Sequence, residues 1–250
     1  MQLPSLKVKP DSLRGRNVMV TGSTSGLGRA LALACARAGA TVILSGRSLA
    51  KLERVYDEIE QLGAPQPAIA KLDLATAAAP DYDALAGTIG REFGVLDGLV
   101  HSAALLGDRS PLEQYDVPTW CQVLHVNLTA PLILTQVLLP HLRKSASASV
   151  IFVSSGVVQN PRPFWGAYAV SKAGLEAVSS MLSQELAGVS SVRINSVSPG
   201  RLRTPMRAAA YPAEDPNTLP TAESVTGAFV YLLSEASRGV SGQCVDLAHG

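Results

Sequence analysis

The chain has 250 residues, of which 47% are hydrophobic and 16% charged, with 21 basic and 20 acidic side chains and a net charge of +1. That length suits one large domain or two small ones and is enough to bury a substantial core. The near-zero charge gives no long-range attraction for a polyanion, so nucleic acid is not an expected partner. The mean hydropathy of +0.20 is high, as buried parallel strands would make it. The most apolar stretch, PLILTQVLLP at 131–140, falls short of the roughly 18 apolar residues of a membrane span and contains Gln136. The opening residues, MQLPSLKVKPDSLRGR, have no apolar core of a secretory signal. Cys35, Cys121 and Cys244 are isolated and odd in number, which fits a reducing cytoplasm and no disulfide framework or metal site.

In chain order, short runs rich in β-formers alternate with helical patterns. The predicted strands are 17–21, 41–45, 68–72, 96–101, 149–154, 192–197 and 243–246. The predicted helices are 27–38, 49–62, 81–93, 119–142, 167–186 and 222–234. Strand–helix–strand repetition implies right-handed crossovers and a parallel sheet covered on both faces. The expectation is an α/β fold: one Rossmann-type, doubly wound domain over 1–250, with about seven strands and a short N-terminal arm over about 1–13. No low-complexity linker divides the chain. Residues 198–220 are proline-rich, and composition leaves two readings open, a loop covering a substrate or an ordinary surface connection.

The first strand runs directly into Gly22-Ser23-Thr24-Ser25-Gly26-Leu27-Gly28, and a helical pattern follows at once. Glycines let a backbone approach a pyrophosphate, and a helix N-terminus offers free N–H groups and a positive dipole end. The spacing, G-x3-G-x-G, differs from the commoner G-x-G-x-x-G. Its place between first strand and first helix makes a dinucleotide the expected ligand. The second strand ends at Ser45-Gly46-Arg47, where NAD-binding domains usually carry an acidic residue for the ribose 2′-hydroxyl. Arginine there suits a 2′-phosphate and favours NADP(H), unless Arg47 is only a solvated residue opening the next helix.

Tyr168 and Lys172 stand four apart on a predicted helix, so they share one face. Tyrosine is a poor base with a pKa of about 10. A fixed positive charge beside it favours the phenolate. Taken alone, such a pair is commonplace on exposed helices. Combined with the glycine turn it indicates proton transfer beside a nicotinamide.

These motifs resemble the short-chain dehydrogenase/reductase family over nearly the whole chain, from about Leu13 to Gly250. The family's T-G-x3-G-x-G reads Thr21–Gly28, its Y-x3-K reads Tyr168–Lys172, and its serine, 13 residues before the tyrosine, falls on Ser155. The resemblance assigns four catalytic positions: Ser155, Tyr168, Lys172 and Asn127, the last holding a backbone kink and a water linked to Lys172. It also assigns the cofactor contacts: the turn, Arg47, Asp73-Leu74 at the adenine, and Ser102-Ala103, Asn127, Tyr168, Lys172, Pro199, Gly200, Leu202 and Thr204. The stretches LLGDRSPLEQ, PFWGAYAVSK and TPMRAAAYPAEDP are similar to the bacterial YciK-type branch of that family. One departure stands out: where relatives read Asn-Asn-Ala-Gly, this chain has His101-Ser102-Ala103-Ala104. His101 reads as a structural histidine, since no metal or nucleophile pattern surrounds it.

The implied activity is hydride transfer between NADP(H) and a carbonyl or alcohol, with Tyr168 as general acid/base. The reading from another class is an NADP(H)-binding sensor or scaffold without turnover, against which the complete Ser155–Tyr168–Lys172 set argues. Leu105, Val157, Phe164, Trp165, Leu202 and Tyr211 are candidates for the substrate pocket, with Phe164 and Trp165 equally suited to packing the helix start. Arg109, Arg162, Arg201, Arg203 and Arg207 gather near its expected mouth, either to hold an anion or as solvated residues. The resemblance further implies a homodimer or homotetramer built on 119–142 and 167–186, with a small-molecule substrate and no membrane partner.

Overall fold

The computed structural model describes residue 7 and residues 9–248. Most of the expected arm, residues 1–6 and 8, and the last two residues lie outside that range. Seven strands form one parallel sheet: β1 (Asn17–Thr21), β2 (Thr41–Gly46), β3 (Ala68–Lys71), β4 (Gly98–His101), β5 (Ser149–Val153), β6 (Arg193–Ser198) and β7 (Cys244–Asp246). Their order is β3-β2-β1-β4-β5-β6-β7. The sheet therefore winds one way through β1–β3 and the other way from β4 onward. The reversal lies between β1 and β4, where open α/β sheets bind their ligands, beyond the carboxyl ends of the strands.

The helices are α1 (Gly26–Arg37), α2 (Leu49–Gln61), α3 (Ala79–Glu92), α4 (Val117–Leu124), α5 (Ala130–Leu142), α6 (Gly166–Leu186), α7 (Pro205–Ala210) and α8 (Thr226–Leu233). Two apolar layers flank the sheet. One joins α1, α2 and α8 to Val18, Val20, Val42 and Leu44. The other joins α3, α5 and α6 to Met19, Ile43, Leu99, Val150 and Phe152. Alternate residues of each strand thus face opposite layers, which is why these strands read as continuous apolar runs.

Three features differ from the sequence expectation. The helix predicted over 119–142 is interrupted by a π-turn, His125–Thr129, in which the Ala130 N–H reaches the His125 carbonyl. Pro131 explains the interruption in part: it has no N–H for the Asn127 carbonyl, four residues back. The irregular 198–220 segment contains α7, capped by Thr204, whose Oγ1 accepts from the Arg207 N–H at 3.2 Å, with Pro205 in its first turn. Finally, the helical run 117–142 is long and apolar enough by composition to cross a membrane, which counting consecutive apolar residues overlooked. Leu134, Leu138 and Leu142 are fully buried against the sheet, so a core-covering role accounts for that apolarity.

Candidate active site

The carboxyl ends of β1, β4, β5 and β6 open into a cleft of about 1230 Å³. At one end the wall is backbone. Gly22 has φ of +67°, and a Cβ there would lie 2.8 Å from the Ala103 Cα. A Cβ on Gly28 would lie 2.2 Å from the Gly22 carbonyl oxygen. Any side chain at either position collides with backbone, so the turn packs tightly and leaves its outer surface bare for a ligand. Thr21 stitches this turn to the segment after β4: its hydroxyl accepts from the Ser102 and Ala103 N–H groups at 3.1 and 3.2 Å. The altered His101–Ala104 segment therefore keeps a defined place beside the turn.

Gly22, Thr24, Ser25, Gly26, Leu27 and Gly28 all line this end, with Arg47, Asp73 and Leu74 farther along and Ser102 and Ala103 at the middle. Pro199, Gly200, Leu202 and Thr204 also line the cleft, Thr204 beside Gly26, where a Cβ would lie 3.4 Å from the Thr204 Cβ. Arg47 is exposed at the end of β2. Ser23 departs from the expectation. It is fully buried, and its hydroxyl donates to the Ser45 carbonyl at 3.2 Å, which ties the turn to β2 rather than facing a ligand. The cradle fits a pyrophosphate, and the cation at the rim fits a further phosphate. Among the described residues no three of His, Cys, Asp and Glu gather as metal ligands.

Ser155, Tyr168 and Lys172 meet at the centre of the cleft. Of the adjacent serines, the Ser154 hydroxyl bonds Glu176, while Ser155 lines the cleft with Tyr168 and acts on its phenol. Burial pushes that phenol up, with Ser155 pulling the other way. This differs from the expectation that Lys172 favours the phenolate and lowers the phenol. The ammonium lies 5.7 Å from the centre of the Tyr168 ring and donates to the Val153 carbonyl at 2.7 Å. Lys172 itself is buried, which lowers its pKa to about 8. It still carries its charge at neutral pH.

Asn127 is buried and lies behind the cleft wall rather than in it. Its amide works like a neighbouring strand: Oδ1 accepts from the Leu105 N–H at 2.7 Å, and Nδ2 donates to the Leu105 carbonyl at 2.9 Å. Nδ2 also reaches the Ser171 hydroxyl at 3.1 Å, which donates to the Tyr168 carbonyl at 2.7 Å. One side chain thus connects the π-turn, the cleft-wall residue Leu105 and α6. Its direct partners do not include Lys172.

His101 is buried on β4, stacked on Phe152 with ring centres 4.8 Å apart. The Thr135 hydroxyl donates to the Pro131 carbonyl, so it accepts from His101 Nε2–H at 2.8 Å. Burial, with Lys172 nearby, lowers the imidazole pKa to about 3. His101 is a neutral packing residue.

At the far end the wall is built of side chains. Val157, Trp165 and Tyr168 form a buried cluster with Leu106, Met206 and Tyr211 around it. Leu105, Val157, Trp165, Leu202 and Tyr211 line the cleft as expected. Phe164 does not: it is 49% exposed, with a left-handed φ of +69°, and Trp165 takes the buried place instead. Gly156, Met206 and the stretch 246–248 also line the cleft and carried no local sequence signal.

The profile of the short chain dehydrogenase family matches residues 16–215. The oxidoreductase YciK of Escherichia coli K12 is 40% identical over 242 residues, covering 97% of this chain and 95% of that protein. A short chain dehydrogenase of Pseudomonas syringae is 44% identical, with a TM-score of 0.95 over 98% of this chain and 99% of that one. Another, from Escherichia coli CFT073 in complex with NADPH, is 41% identical, with a TM-score of 0.92 over 95% of this chain and 98% of that one.

Proposed function

The chain belongs to the short-chain dehydrogenase family, and we propose on that premise that it is an NADP(H)-dependent oxidoreductase interconverting a carbonyl compound and its alcohol. The observation that carries this reading is the meeting of Ser155, Tyr168 and Lys172 in one cleft with the glycine turn at its end. A similar chain has been crystallised with NADPH, and Arg47 occupies the position where NAD-specific domains place an acid.

In this reading the turn at 22–28 and the N-terminus of α1 hold the pyrophosphate, and Arg47 holds the 2′-phosphate. Asp73 and Leu74 flank the adenine; Ser102, Ala103, Pro199, Gly200, Leu202 and Thr204 flank the nicotinamide. When bound, the cofactor supplies or accepts the hydride. Tyr168 delivers a proton to the substrate oxygen in reduction and removes it in oxidation. Ser155 donates a hydrogen bond to the same oxygen and stabilises its developing charge. Lys172 contributes a buried positive charge that favours the phenolate. Asn127 acts one step removed, holding the Leu105 wall and the Tyr168 turn of α6 in register. Segment 198–220 covers the substrate side: the Arg203 N–H donates to the Pro220 carbonyl at 2.8 Å, closing it into a strap. We further place the chain in the cytoplasm as a homodimer or homotetramer, with exposed Val170 and Met181 of α6 in the interface.

The test is NADPH oxidation across a panel of aldehydes, ketones, quinones and acyl thioesters, alongside titrations of NADPH and NADH. Turnover of at least one carbonyl class and tighter NADPH binding are expected. NADPH binding without turnover of any class would favour a sensor or scaffold.

A further inference from the structure

Beyond the reacting centre, the cleft ends in a corner around Tyr211. The Trp165 ring lies 5.5 Å from that of Tyr168 and 6.1 Å from that of Tyr211, centre to centre. Tyr211 therefore sits one aromatic ring away from the proposed proton donor. Three arginines converge on it. The Arg207 guanidinium stacks 3.8 Å from the ring centre, and that of Arg109 lies 5.1 Å away while covering Trp165 at 4.4 Å. Arg162, exposed at the rim, lines the same part of the cleft and its charge acts on the phenol. One carboxylate answers them: Glu214 grips Arg207 through two bonds of 2.6 Å. Arg109 is anchored by donating to the Ala210 carbonyl at 3.0 Å.

The balance at this corner is positive. Burial pushes the Tyr211 phenol up, yet Arg207, Arg109 and Arg162 outweigh it and bring the group below its ordinary value. The stacked guanidiniums contribute to packing, but of the three only Arg207 has an ion pair among the described residues, so the corner keeps a net positive charge. It suits the recognition of a planar or tetrahedral oxyanion, which the arginine fork matches. The five arginines near the cleft are not equivalent. Arg203 does not line it and leans on the Leu219 carbonyl at 3.5 Å. Arg162 and Arg207 do line it, as do Tyr211 and Glu214.

We propose that Arg162, Arg207 and Tyr211 form an anion subsite for a carboxylate or phosphate carried by the carbonyl substrate itself. This rests on the oxidoreductase reading and names its substrate class: a small molecule with a carbonyl at one end, an apolar middle and an anionic group at the other. The carbonyl lies at Tyr168, the apolar middle packs against Val157 and Trp165, and the anion reaches Tyr211. Glu214 occupies the Arg207 fork when no such anion is present, and so competes with it.

The test uses matched aldehydes: 4-carboxybenzaldehyde, 4-formylphenyl phosphate and the neutral 4-methylbenzaldehyde, assayed by NADPH oxidation. In the wild type at least one charged aldehyde should exceed the neutral one in kcat/KM by about tenfold, the worth of one charge-assisted hydrogen bond. Whichever anion leads identifies the group. Arg162→Gln should cut that advantage several-fold, Glu214→Gln should widen it, and added salt should shrink it in the wild type. A neutral aldehyde turned over as well as both charged ones would overturn the subsite, whatever the variants do.

Calorimetry separates this from failure of the oxidoreductase reading. 4-(Hydroxymethyl)benzoate, 4-(hydroxymethyl)phenyl phosphate and 4-methylbenzyl alcohol are titrated into the NADP⁺-loaded protein. Tighter binding of either anionic alcohol, lost in Arg162→Gln, supports the subsite even where no aldehyde is turned over. Neither anionic alcohol binding more tightly than the neutral one contradicts it even where turnover is fast.

Discussion

The two ends of the cleft are built from different materials. At the glycine turn the wall is main chain: Gly28 approaches the Gly22 carbonyl so closely that a methyl group would lie 2.2 Å from it. At the Tyr211 end the wall is side chains: Val157, Trp165, Met206, and arginines stacked on aromatic rings. A wall of backbone recognises what every dinucleotide shares and tolerates little change. A wall of side chains is re-cut by single substitutions, which is where relatives of one fold diverge in substrate.

The largest effect on cofactor binding should come from the backbone wall. Gly28→Ala should displace the turn or the start of α1 and weaken NADPH binding about a hundredfold, equivalent to nearly 3 kcal/mol. Fluorescence titration checks this, and affinity within threefold of the wild type would show that the cradle yields. Asn127→Ala tests the support beneath the side-chain end. It strands the Leu105 N–H and carbonyl, and should cost about 2 kcal/mol of stability in urea unfolding. A loss below 0.5 kcal/mol, on the order of a surface substitution, would remove Asn127 from that role.

The smallest effect concerns the boundary between the two ends. The imidazole of His101 takes up a proton only near pH 3 in the folded chain, against about 6.5 when unfolded. Between those values the unfolded chain binds more protons, so stability falls as pH falls through that window. This residue contributes about 1.4 kcal/mol per pH unit. Unfolding curves at pH 6 and pH 5 should therefore be closer together for His101→Asn than for the wild type. Parallel shifts would mean that His101 is not held neutral.

What was legible in the sequence follows the same division. The glycine turn, Arg47 and the Tyr168–Lys172 pair were readable because local spacing alone puts them on a strand end, a turn or one helix face. Ser23 was misplaced because alternation along the turn, which sends its hydroxyl to Ser45, depends on the neighbouring strand. Phe164 was misplaced because two adjacent aromatics compete for one buried site, and only the fold selects Trp165. The π-turn left a readable trace in Pro131, and α7 left one in Thr204-Pro205. The pairing of Arg207 with Glu214, seven residues apart across the end of α7, left none.

The central claim is that Tyr168 moves the proton in a cleft that holds NADP(H) independently of it. Tyr168→Phe removes one oxygen and keeps the ring packed against Trp165. For any carbonyl the wild type reduces, the account predicts a loss of turnover on the order of 10²–10⁴-fold, with NADPH affinity within about twofold of the wild type, a shift under 0.5 kcal/mol. A phenylalanine variant that keeps a tenth or more of the turnover, a loss of less than about 1.4 kcal/mol, would contradict it.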